Sequence, residues 1–167
     1  MPFTRLFVIA CSKSKSPDLL DSPMPAREAY RGIVFRKAVA VLERENLTWC
    51  ILSAKYGFIW PETIIEFYDQ RIRPARVNTT TLEQATRLLE ESQLQMLRAS
   101  DEIVVIGGKD YAENVARLLC RKVKVPFKGM AYVQMRDALS NWKPDDREQP
   151  STVNAIKVPR RFDMRKY

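Results

Sequence analysis

Apolar and polar positions follow two rhythms along this chain. Leu6-Phe7-Val8-Ile9-Ala10, Trp49-Cys50-Ile51-Leu52 and Ile103-Val104-Val105-Ile106 are short unbroken apolar runs of strand length, the pattern of strands buried on both faces. From Arg27 to about Asn46, Tyr30, Ile33, Val34, Ala38, Val41 and Leu42 recur three and four residues apart, which predicts one helix with a single buried face. A second helix is expected after Thr79-Thr80-Thr81, with Thr79 or Thr80 as its N-cap and Leu82, Ala85, Leu89 and Met96 along one face. Asp110 to Arg121 predicts a third, with Tyr111, Val115, Leu118 and Leu119 inward, and Met130 to Trp142 a last one. A short strand is expected at 123 to 126, whereas Phe58 to Val77, aromatic and Arg-rich, carries no readable period. The alternation predicts an α/β fold, a three-layer sandwich with a mostly parallel central sheet of about four strands covered on both faces.

At 167 residues the chain is long enough for one domain, expected over residues 1–142, with residues 143–167 as a basic C-terminal extension. Arg160-Arg161-Phe162 and Tyr167 make that extension either a frayed terminus or an arm that contacts phosphates and stacks on bases. Lys and Arg exceed Asp and Glu, 28 against 20, for a formal charge of +8. Polyanions are therefore the partners to consider first. The sequence has no His, which removes Ser/His and Cys/His nucleophile pairs and the usual neutral-pH acid and base. Cys11, Cys50 and Cys120 lie far apart and form no Cys-x-x-Cys pair, so they read as reduced, mostly buried thiols with no metal site. Neither a metal nor a cofactor is expected. The N-terminal apolar stretch ends at Cys11 and Lys13, too short for a membrane span, and the expected compartment is the cytoplasm.

In open α/β sheets ligands bind beyond the carboxyl ends of the strands, and the sequence places polar groups at three such ends. The first is Cys11-Ser12-Lys13-Ser14-Lys15-Ser16, hydroxyls and ammonium groups without the glycines of a Walker loop. The second is Ser53-Ala54-Lys55-Tyr56-Gly57, where Ser53 and Lys55 point the same way and Tyr56 offers a ring for stacking. The third is Gly107-Gly108-Lys109-Asp110-Tyr111, a strand-to-helix turn suited to an anion, in which Asp110 is either functional or simply the N-cap. A fourth set, Glu66-Phe67-Tyr68-Asp69-Gln70-Arg71, puts carboxylates among aromatic rings near Arg73 and Arg76. It reads as part of a base pocket with a water-activating carboxylate, or as a surface salt-bridge cluster.

Cys11-Ser12-x-x-Lys15, Ala29-Tyr30-x-x-x-x-Phe35, Ile51-Leu52-Ser53-Ala54-Lys55-Tyr56-Gly57, Pro61 and Tyr68-Asp69 together resemble a family of small bacterial and phage domains. That family is distantly similar to the YaaA peroxide-stress proteins. The likeness spans residues 5 to 70 and continues through Ile106-Gly107-Gly108-x-x-Tyr111. It extends to phage-defence DNA glycosylases that remove glucosylated hydroxymethylcytosine on a uracil-DNA-glycosylase-like core. The chain has neither the Gly-Gln-Asp-Pro-Tyr loop nor the His-containing motif of true uracil-DNA glycosylases, so no catalytic residue carries over from those motifs.

The resemblance implies a DNA glycosylase that excises a modified base from phage DNA and leaves an abasic site, an antiviral activity on double-stranded DNA with a flipped nucleotide. Such chemistry needs no His, metal or cofactor. Asp69 is assigned as the water-positioning or cation-stabilising carboxylate, with Asp110 and Asp18 as substitutes. Lys13 and Lys55 are the other catalytic candidates, through a Schiff base if either amine is neutral. Ser12, Lys15, Tyr30, Ser53, Tyr56, Tyr68, Gly107 and Gly108 are expected to bind substrate, and Arg71, Arg73, Arg160 and Arg161 to track the DNA backbone. The alternatives are a non-catalytic DNA-binding stress protein and an enzyme acting on free nucleotides or nucleosides.

Overall fold

A strand whose successive residues are all apolar must bury both faces, and β1 (Arg5–Ala10) does so at the centre of a sheet. The computed structural model describes residues 3–76 and 80–144. Around β1 lie β2 (Met24–Pro25), β3 (Trp49–Ser53), β4 (Gly57–Ile59), β5 (Ile64–Ile65) and β6 (Glu102–Ile106). The described helices are α1 (Ala26–Ala29), α2 (Ile33–Arg44), α3 (Thr80–Arg87), α4 (Glu91–Ala99), α5 (Lys109–Leu119) and α6 (Tyr132–Leu139). The main sheet runs β4-β3-β1-β6. β3 and β6 are parallel to β1, with Ile9 opposite both Ile51 and Ile106, while β4 turns back antiparallel on β3. The expected α/β architecture with a four-stranded, mostly parallel sheet is thus present.

The period of two along each strand sorts the core into two halves. Phe7, Ile9, Trp49, Ile51, Val104 and Ile106 face the side of Phe35, Ala38 and Leu42 from α2 and Met135 and Leu139 from α6. Leu6, Val8, Cys50, Leu52, Ile103 and Val105 face the side of Leu82 from α3, Leu97 from α4 and Val115 and Leu118 from α5. Trp142 packs edge-on against Phe7 and Phe127, at centroid distances of 6.0 and 5.2 Å, and ties the end of the described domain to the first face.

Several elements depart from the sequence pattern. The helix expected over 27–46 breaks between α1 and α2. Arg31 N–H donates to the Ser14 carbonyl, Ser16 N–H to the Ala29 carbonyl and Gly32 N–H to Ser12 Oγ, so the loop after β1 takes the backbone groups that a continuous helix would use. Ile33, expected inward, is exposed as a result. The single helix expected after Thr79 divides into α3 and α4, where the Glu90 N–H donates to the Gln93 side-chain oxygen at 3.2 Å and the Gln93 N–H to the Glu90 carbonyl, starting a new helix. Met96 then turns outward and Leu97 inward. Thr79 and the side chain of Thr80 lie outside the described residues.

The strand expected at 123 to 126 is a single parallel bridge. Val105 N–H donates to the Lys124 carbonyl and Lys124 N–H to that of Ile103, along the outer edge of β6. Within 58–77, where no period was legible, β4 adds a strand to the sheet and β5 pairs antiparallel with β2, Met24 opposite Ile65. No described helix is long and apolar enough to cross a membrane.

Candidate functional site

Within the main sheet the chain passes from β1 to β3 on one side and later returns to β6 on the other, so the carboxyl ends of β1 and β6 form the topological switch point of the sheet. A cavity of about 660 Å³ opens there. Its floor is Ala10, Cys11, Ile106 and Gly107 at the strand ends, and Ser12, Lys13, Ser14 and Gly108 form its polar rim. Val34 and Phe35 from α2, Tyr111 from α5, and Met130, Tyr132 and Met135 in and before α6 supply an apolar and aromatic wall. The volume suits a ligand of nucleoside size or larger.

Two glycines let the segments that border this space approach closely. A Cβ on Gly107 would lie 2.6 Å from Ala10 Cβ, and one on Gly32 would lie 2.6 Å from Ser12 Cβ. Gly108, by contrast, would meet nothing within 4 Å. It is the N-cap of α5, so Asp110 is not the cap and stands in the first turn of the helix, next to the wall residue Tyr111. Cys11 Sγ and Tyr111 Oη are 3.2 Å apart, and burial pushes the Tyr111 hydroxyl well above the ordinary phenol range. Tyr132 Oη accepts from the Val34 N–H at 3.3 Å, which stitches the start of α6 to the start of α2.

The second polar group lies over the ends of β1 and β3. Ser53 is fully buried because β3 carries it into the core. Its Oγ accepts the N–H groups of Lys55 at 3.2 Å and Tyr56 at 3.1 Å, so its own hydrogen goes to Tyr68 Oη, 2.9 Å away. Tyr68 Oη and Tyr30 Oη are hydrogen-bonded at 2.7 Å. Burial drives both phenols far from ionisation, with Cys11 adding to the effect. This is a chain of neutral hydroxyls inside the core.

Lys15 and Lys55 reach this chain from its outer side. Lys15 Nζ stands 4.3 Å from the centroid of the Tyr68 ring and 6.0 Å from that of Tyr30. Lys55 Nζ stands 5.0 Å from the Tyr56 ring and 5.9 Å from Tyr68. Tyr56 meets Tyr68 edge-on at 5.5 Å and is anchored by Glu66, whose backbone N–H donates to the Tyr56 hydroxyl. Burial lowers the pKa of Lys15 below the ordinary lysine value, against the opposite pull of Cys11 and Asp69.

The predicted residues therefore separate. Ser12, Lys13, Gly107 and Gly108 line the cavity. Lys15, Tyr30, Ser53, Lys55, Tyr56 and Tyr68 form the neighbouring cluster. Asp69 is exposed and close enough to act on Lys15, and the cavity wall does not include it. Asp18 is exposed in the 3-10 turn Pro17–Leu20. Arg71 and Arg73 are exposed, and the Arg73 carbonyl accepts from Asn114 of α5 at 2.9 Å. Arg160 and Arg161 lie outside the described residues. Sequence reasoning missed Gly32, Val34, Phe35, Met130, Tyr132 and Met135 as wall residues, because apolar side chains at helical spacing carry the same signal whether they face a core or a cavity.

The match to known proteins covers this whole arrangement. The chain belongs to a family of unknown function, DUF6884, whose model matches residues 6–141, from β1 through α6. It is similar to the uncharacterized protein YfjM of Bacillus subtilis (strain 168), with 28% identity over 110 residues, 64% of this chain and 71% of that protein. No solved structure matches it.

Proposed function

We propose that this member of a family of unknown function is a DNA glycosylase, and that the cavity between β1 and β6 receives a modified base extruded from the duplex. The supporting observation is the cavity itself. It couples about 660 Å³ of apolar and aromatic wall to a rim of hydroxyl, ammonium and glycine backbone groups at a sheet switch point. A flipped base is held in this way, by ring contacts on its faces and polar groups on its edge, and a bulky substituent such as a glucosyl group needs the additional volume.

In this reading the core is uracil-DNA-glycosylase-like, the substrate is phage DNA carrying glucosylated hydroxymethylcytosine, and the role is antiviral defence. The bond from the sugar C1′ to the base nitrogen breaks and its electron pair leaves with the base. Water adds to C1′ and its proton goes ultimately to the departing base. Lys13 and Ser12, on the cavity rim, face the leaving base or the adjoining phosphate. Asp69, beside Lys15, is the carboxylate assigned to the water and the developing sugar cation, with Asp110, in the first turn of α5 next to the wall residue Tyr111, as its substitute.

Incubation with unmodified and with glucosyl-hydroxymethylated phage DNA, followed by an abasic-site assay and mass spectrometry of released bases, tests the reading. Base release from the modified DNA alone is the expected result. Asp110→Asn and Asp69→Asn then show which carboxylate is required, and binding without any base release would leave a DNA-binding protein in place of an enzyme.

A further inference from the structure

We propose that Lys15 and Lys55 form a phosphate clamp seated on the ring of Tyr68, a second binding site beside the cavity and distinct from it. The two ammonium groups come from different strand ends, the loop after β1 and the loop after β3, and each stands within 6 Å of the same aromatic centroid. Among the described residues neither takes part in an ion pair, although Arg5, Arg27, Lys109 and Lys124 all find carboxylates. Each ammonium is held against aromatic rings, which offset only part of the cost of taking a cation out of water. A phosphate bound by both supplies a direct ionic partner, where Asp69 acts on Lys15 only at a distance that makes no ion pair.

The platform beneath is built to stay in place. Tyr68 is buried, its hydroxyl is fixed by Ser53 and Tyr30, and Tyr56 closes one side of its ring. Lys15 Nζ also donates to the Lys13 carbonyl at 3.4 Å, which directs its stem along the same loop that borders the cavity. A phosphate held here thus lies next to a base held there, as adjoining parts of one nucleotide strand do. The ligand chemistry is a phosphate oxyanion, supplied either by the phosphodiester of a strand or by a free nucleotide.

The test measures binding of a short unmodified single-stranded DNA oligonucleotide by fluorescence anisotropy across a salt series, and of dCMP by competition. Lys15→Gln, Lys55→Gln, the double variant, Lys15→Arg and the exposed control Lys122→Gln are compared. The expected result is roughly a tenfold loss of affinity for each clamp glutamine. The slope of log affinity against log salt should fall by about 0.7 per lysine removed, while Lys15→Arg and Lys122→Gln stay near wild type.

Lysine-dependent binding of the oligonucleotide assigns the clamp to a strand, and the same dependence for dCMP alone assigns it to free nucleotides. Equal affinities and slopes for the double variant and Lys122→Gln would overturn the proposal. Because the probe carries no modified base, the clamp stands or falls independently of the glycosylase reading. Binding through Lys15 and Lys55 without base release removes only that reading, and base release with unaltered slopes removes only the clamp.

Discussion

The cavity over β1 and β6 and the lysine–tyrosine cluster over β1 and β3 share one strand end and are constructed in opposite ways. The cavity is a space: glycines let its floor close up, apolar side chains line it, and Gly108 faces open room. The cluster is a filled network: Ser53, Tyr68 and Tyr30 are buried, each hydroxyl is bonded, and the cations stand outside on the rings. A buried polar network is costly to leave half satisfied, whereas an apolar wall tolerates exchange as long as the space survives. Stability should therefore depend on the cluster, and ligand selection on the cavity.

The sharpest way to break this contrast is Tyr68→Ala, which empties a core site and strands two hydroxyls. It should cost about 3–5 kcal/mol in denaturant unfolding, and a loss below about 1 kcal/mol would mean that the cluster does not hold the fold. Ser53→Ala should cost about 1–3 kcal/mol, because the N–H groups of Lys55 and Tyr56 lose their acceptor inside the protein. Gly107→Ala forces its new methyl against Ala10 and should cost about 1–3 kcal/mol. Adding Ala10→Gly should return part of that loss, since the two methyl groups cannot share the site.

On the cavity side, Met130→Trp fills the space from an exposed position. Stability should stay within about 0.5 kcal/mol of wild type, while release of a glucosylated base, measured by mass spectrometry, should be lost. The smallest effect is one of pH. Lys15 faces Cys11, Asp69, Tyr30 and Tyr68, and burial lowers its pKa. A lowered value means that the ammonium is lost at a lower pH than for an ordinary lysine, so oligonucleotide affinity should weaken as pH rises. Lys15→Arg, which stays charged, should flatten that part of the profile.

The three unbroken apolar runs made the sheet legible, because only strands covered on both faces carry such runs without a polar break. The strand-end loops followed from it, and with them Ser12, Lys13, Gly107, Gly108 and the lysines. What remained hidden depends on contacts between distant segments. The break before α2 is imposed by Ser12 and Ser14, about twenty residues upstream. β4 and β5 are too short for a period to develop. Tyr132 and Met135 look like core until the switch point of the sheet leaves a cavity in front of them. The separation of Asp69 from the cavity wall is likewise a matter of where an aperiodic segment folds back, which no spacing encodes.

The bridge at Lys124 has a consequence for how this protein behaves among copies of itself. An open outer edge on β6 would present a row of free amide and carbonyl groups, a template on which a second molecule could add a strand and begin a fibre. Here the Lys124 backbone takes the Val105 amide and the Ile103 carbonyl. Its side chain pairs with Glu102, which also holds Arg5 at 3.1 Å. One residue thus blunts the edge with both a bond and a charge, and leaves no run of free backbone groups at Ile103 and Val105 for a second molecule to pair with.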